Sequence, residues 1–192
     1  MTDRLFSSLQ CHLSALGVAL WLAWASVAPA MAAQDAPPAF MQQVLPGAGV
    51  WGQGQLRIWG LHIYDARLWV GPQFDAADIA AQPLALELTY HRAFKGADIA
   101  RRSIEEIERQ GSLPAEQVQR WSTALTALFP DVQAGERLTG LYQPGQGMML
   151  WRGDEFLGMS EDAELARRFF DIWLSPRTSE PGLRSALLAP KS

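Results

Sequence analysis

The hydrophobic and polar positions set out a run of strands, a pair of helices, a second run of strands and a closing pair of helices. Leu56 to Trp59 and Leu61 to Val70 are apolar runs dense in β-branched and aromatic residues, interrupted at Gly60 and stopped by Gly71-Pro72, which predicts one bent strand or two. Leu84 to His91 alternates with period two. Leu84, Leu86, Leu88 and Tyr90 share a dry face, and Glu87, Thr89 and His91 share a wetter one. From Ala97 to Gln110, Ile99, Ser103, Ile104 and Ile107 recur at helical spacing, with Arg101/Glu105 and Arg102/Glu106 as outward i,i+4 pairs, and Gly111 stops the helix. Pro114 opens a second helix with a stripe of Val118, Trp121, Leu125 and Leu128. Three short extended runs follow, Arg137 to Tyr142, Met148 to Trp151 and Glu155 to Met159, separated by Pro144-Gly145-Gln146-Gly147 and Gly153-Asp154. Leu165, Phe169, Ile172 and Trp173 mark a third helix, and Pro181 to Leu188 a short fourth. Strands that come in runs predict an α+β domain, with an antiparallel sheet covered on one face by helices.

The N-terminus carries a different pattern. Arg4 precedes an apolar stretch from Leu13 to Val27, and Ala28-Pro29-Ala30-Met31-Ala32 offers small residues for cleavage. The apolar stretch is shorter than the roughly 20 residues a membrane-spanning helix needs, so residues 1–32 read as a signal peptide and not an anchor. Residues 33–43, rich in Ala, Pro and Gln, read as a disordered lead-in, and 44–189 as the single domain. The expectation is a periplasmic or secreted protein with no membrane anchor after cleavage. The one cysteine, Cys11, falls in the leader, which excludes thiol chemistry and disulfides in the mature chain.

Charge narrows the partners. With 16 Lys+Arg against 20 Asp+Glu the formal charge is -4, which gives nucleic acid no basic surface to bind. No GxSxG, GxGxxG or GxxxxGK[ST] motif is present, and no cofactor is expected. Beyond the leader the histidines are His62 and His91, in neither HxH nor HxxxH spacing, so no metal is expected. Gly47 to Gly54 reads as a loop with close backbone packing. Asp65, Arg67 and Glu87 fall on polar faces of neighbouring strands and predict a cross-strand ion network. Tyr64 and Tyr90 would supply polar contacts, with Trp51, Trp59 and Trp69 as apolar walls, if these first strands border a small-molecule cleft. His62, Tyr64 and His91 are the candidate acid/base groups for catalysis, and in a regular strand His62 and Tyr64 share a face.

Gly47-Ala48-Gly49, the run Leu61 to Val70, Gly153 to Gly158 and the Asp162 to Leu174 helix ending Phe169-Phe170-Asp171-Ile172-Trp173-Leu174 occur in an order and spacing that resemble the exported bacterial branch of the chalcone isomerase-like family, over roughly Val44 to Leu188. The resemblance implies an open-faced β-sandwich with a ligand cleft between sheet and helices. Plant enzymes of the family close a flavanone ring by intramolecular addition of a phenolate, and non-enzymatic members bind fatty acids in the same cleft. The enzymes' arginine after the GAG turn corresponds here to Trp51. Their threonine falls at or near Tyr64, their tyrosine near Ile99 and their asparagine near Glu106. A tryptophan cannot hold an anion and an isoleucine cannot stabilise developing enolate charge, so the plant-type reaction is not expected. Arg57, Arg67 and Arg92 are the candidates to replace the missing arginine. The leading expectation is a non-catalytic protein that binds a small hydrophobic ligand, a fatty-acyl chain being one candidate, although the missing arginine weakens a simple fatty-acid carboxylate site. An intramolecular lyase or isomerase acting on another enone is the first alternative, and an envelope protein-protein interaction module the second.

Overall fold

The computed structural model describes residues 37–190, so the expected signal peptide lies outside the described residues. Six strands form one antiparallel sheet in sequence order: β1 (Gly49–Ile58), β2 (Leu61–Val70), β3 (Leu84–Tyr90), β4 (Arg137–Gln143), β5 (Gly147–Arg152) and β6 (Glu155–Ser160). A short helix, α1 (Met41–Val44), precedes them. α2 (Gly96–Gln110) and α3 (Ala115–Leu128) leave the sheet after β3, while α4 (Ala163–Leu174) and α5 (Pro181–Leu188) follow β6. This is the expected α+β architecture. Among the described residues no helix is long and apolar enough to cross a membrane.

The period-two pattern decides which face is covered. Leu68, Leu86, Leu88, Leu138 and Leu150 pack beneath Ile104 and Ile107 of α2, Trp121 and Leu125 of α3, and Phe169 and Phe170 of α4. Asp162 fixes the junction of two helices with one carboxylate. Its Oδ1 caps α4 by accepting from the Leu165 amide at 2.9 Å, and its Oδ2 accepts from the Trp121 indole at 2.7 Å.

Three findings amend the sequence reading. Gly49 to Gly54 is part of β1 and not a loop, and its glycines serve contact: a Cβ on Gly52 would lie 2.2 Å from the Leu187 carbonyl oxygen, so α5 rests directly on the strand backbone. The lead-in is ordered at its end, where Met41 is fully buried and Phe40 stacks on Trp151 at 4.5 Å. Together with Leu45 these residues cover Trp69, Ala85 and Leu141 on the side of the sheet away from the main core. Finally, β2 is not regular. Leu56 pairs with Tyr64 and Arg57 with His62, which leaves Ile63 as an extra residue, a β-bulge that turns His62 to the opposite face from Tyr64.

Candidate functional site

Between the sheet and the helices lies a cavity of about 330 Å³, at the lower end of the size of small-molecule pockets. Leu56, Leu88 and Leu138 form its floor on the sheet, while Ile99, Phe129 and Phe169 close it from the helices and the loop after α3. Two phenols enter this apolar surface. Tyr64 and Tyr90 are cross-strand partners on β2 and β3, and their rings meet edge to face at 5.9 Å. The Trp173 indole of α4 donates to the Tyr64 oxygen at 2.9 Å, so the Tyr64 proton is left to donate elsewhere. Burial raises the pKa of both phenols well above the ordinary tyrosine value, and for Tyr64 the Trp173 hydrogen bond offsets only part of that rise. Both remain neutral donors at physiological pH.

The charged rim comes from α2 and the loop before α5. Arg102 faces Glu106 one turn further on at 2.5 Å, Arg109 stands 3.5 Å from the other Glu106 oxygen, and Asp98, Arg101 and Glu180 also border the cavity. Glu106 is nearly buried although the sequence reading set it outward. The missed signal was angular: at 3.6 residues per turn Glu106 returns to within about 20° of Ile99, seven residues earlier, at the edge of the inner stripe of α2.

Other expected site residues lie elsewhere. Trp59 occupies the β1–β2 turn with φ +49° and is 96% exposed, because a two-residue hairpin turn points its side chains to solvent. Trp69 alternates with Leu68 and is buried on the opposite side of the sheet, under α1. Trp51, on a bulge of β1, donates to the Leu188 carbonyl at 3.1 Å and meets Phe74 edge to face, which ties α5 to the sheet. None of the three lines the cavity. Neither do Arg57, Arg67 and Arg92. Arg57 is held by Gln55 at 2.7 Å, and Arg67 reaches Glu87 on the far face at 3.4 Å. Arg101 and Arg102 are the arginines at the rim.

His62 and His91 also leave the cavity. The bulge at Ile63 brings His62 to the far face, where its Nε2 lies 2.9 Å from Asp65 Oδ1 and the Nε2 of His91 lies 2.7 Å from Oδ2, with the two rings stacked at 3.8 Å. Neither histidine lines the cavity. The expectation of no metal rested on HxH and HxxxH spacing along the sequence, whereas these three donors come from β2 and from the residue that follows β3.

An open antiparallel sheet, a helical cover and an apolar cavity between them define the open-faced β-sandwich class. The chain belongs to the chalcone isomerase-like family, whose model matches residues 44–189. Among solved structures it is similar to a fatty-acid binding protein of Arabidopsis thaliana, with a TM-score of 0.55 and 12% identity over 74% of this chain and 87% of that one. That likeness is one of fold. No curated protein matches the sequence. Of the four positions that the resemblance assigns to the plant site, Tyr64, Ile99 and Glu106 line the cavity and Trp51 does not.

Proposed function

We propose that this is an exported, non-catalytic member of the family that holds a small hydrophobic ligand, an acyl chain ending in a hydrogen-bond acceptor, between sheet and helices. The observation that carries the reading is the cavity itself, an apolar enclosure with two neutral phenols turned into it. The chain would fill the space among Leu88, Leu138 and Phe169, and a carbonyl or carboxyl oxygen would accept from Tyr64 or Tyr90. The fatty-acid binding neighbour supports the ligand class, and the leader pattern in residues 1–32 supports export.

The charges at the rim bear on the headgroup. Arg102 is already engaged by Glu105 and Glu106, and Arg101 by Asp98 and Glu105, so neither rim arginine stands unopposed for a free carboxylate. The reading therefore favours a neutral acyl derivative over the free acid.

A fluorescent acyl probe tests this. The protein should bind the probe saturably, and unlabelled acyl esters should displace it. Ile99→Trp, which fills the cavity from α2, should weaken binding by at least about tenfold, an energy of about 1.4 kcal/mol. Absence of saturable binding, or unchanged affinity in a folded Ile99→Trp variant, would overturn the proposal.

A further inference from the structure

Outside the cavity, on the far face of the sheet, the structure gathers both histidines of the described residues around one carboxylate. One ring nitrogen of His62, one of His91 and a carboxylate oxygen of Asp65 lie within 4.8 Å of one another. This convergence depends on two features of the backbone. The Ile63 bulge turns His62 to the face that carries Asp65, three residues on. The His91 amide donates to the Ile63 carbonyl at 2.9 Å, which holds the end of β3 against the bulge and sets the second imidazole over the first.

Two imidazole nitrogens and one carboxylate suit late first-row divalent ions, for which imidazole is a favoured donor and which bind more tightly toward the copper end of the series. A metal with bonds of about 2.0–2.2 Å to such donors holds them roughly 3–3.5 Å apart, and the two imidazole nitrogens already stand 2.9 and 2.7 Å from the two Asp65 oxygens. The groups are partly exposed, with side-chain accessibilities of 26% for His62, 46% for Asp65 and 40% for His91, so an ion can enter from solvent. We propose that His62, Asp65 and His91 form a surface site for one imidazole-preferring divalent cation, Cu²⁺ or Zn²⁺, with at least one coordination position open to water. The two Nε2–H···O hydrogen bonds of the ion-free cluster are exchanged for metal bonds on loading. Each imidazole coordinates as the neutral ring through an unprotonated Nε2, the remaining ring proton residing on Nδ1. The site is separate from the acyl-ligand reading, since none of its three residues lines the cavity.

The test is calorimetric titration of the chelator-stripped full chain with ZnCl₂, paired with electron paramagnetic resonance of the Cu²⁺-loaded protein. The expected result is one saturable site per chain, a copper spectrum with coupling to two imidazole nitrogens, and affinity lowered by at least about tenfold in His91→Ala and in Asp65→Asn. In the His62→Ala/His91→Ala variant the site should be lost while the circular dichroism spectrum is retained, which also separates it from any uptake by His12 in the leader. The proposal fails if no saturable uptake of either ion is seen, if the double variant binds as the wild type does, or if the copper spectrum shows no imidazole nitrogen.

Discussion

Glu87 shows how far single residues depart from their usual environment. It is 1% exposed on β3, with Arg67 Nη1 at 3.4 Å from one oxygen and Arg137 Nη1 at 3.6 Å from the other. Burial raises its pKa above the ordinary carboxylate value, and the two arginines recover only part of the cost. A carboxyl whose folded pKa is raised binds its proton more readily when folded, so ionised Glu87 costs stability near neutrality and protonation restores it. As pH falls from neutral toward about 4.3, the ordinary glutamate value, the wild type should gain thermal stability relative to Glu87→Gln. Melting curves of both proteins across that range check this, and a difference that stays flat or moves the other way contradicts it.

Tyr64 offers a second prediction at this scale. Tyr64→Phe leaves the Trp173 indole donor without its partner inside the core, at a cost of about 1–3 kcal/mol, and removes one ligand contact. Denaturant unfolding should show the loss of stability, and acyl-probe titration a loss of affinity. A variant equal to the wild type in both would remove Tyr64 from the site. Glu106→Gln should act on headgroup choice, since it removes one of the two carboxylates that engage Arg102, the other being Glu105 at 3.2 Å, and so weakens the competition with a ligand carboxylate. Affinity for a free fatty acid should rise relative to its methyl ester, and an unchanged ratio would show that Arg102 does not reach the headgroup.

Among the elements, the contact of β1 with α5 rests on an absent side chain. Gly52 has no space for a Cβ beneath Leu187, and Gly54 meets Leu183 Cδ1 at a virtual distance of 2.8 Å. Gly52→Ala should force α5 off the strand and cost about 1–3 kcal/mol, the usual penalty of overpacking. The readout is faster hydrogen exchange in residues 181–188, and native-like protection there would show that the helix adapts. The regular elements were legible in the sequence because one-sided burial imposes a period. The alternation of Leu84, Leu86, Leu88 and Tyr90 gave the covered face of β3, and Ile104 and Ile107 gave that of α2. The Ile63 bulge was not legible, because it adds one residue to a run with no glycine or proline to mark it, yet it decides which face His62 takes. The order at Phe40 and Met41 escaped for a related reason: a four-residue helix is too short to show periodicity, and its stability comes from the sheet surface it covers.

For the whole molecule, the sheet separates two kinds of chemistry. Its helical side borders a mainly apolar cavity with neutral phenols, and its other side carries the ion network of Glu87 and the His62–Asp65–His91 cluster. Tyr64 and Tyr90 could be placed on adjacent strands from pattern alone, whereas the distribution of tryptophans could not be assigned to one cleft. Trp51, Trp59 and Trp69 are close in sequence, but a bulge, a turn and strand alternation send them to three different surroundings. The central claim is that the cavity holds an apolar acyl-type ligand. It is tested most directly by native mass spectrometry of the protein isolated without detergent, followed by denaturing extraction of whatever is released. The account predicts a one-to-one adduct that yields an acyl-bearing molecule and is lost in Ile99→Trp. An unliganded mass that persists after incubation with acyl esters, or a polar molecule as the released adduct, would contradict it.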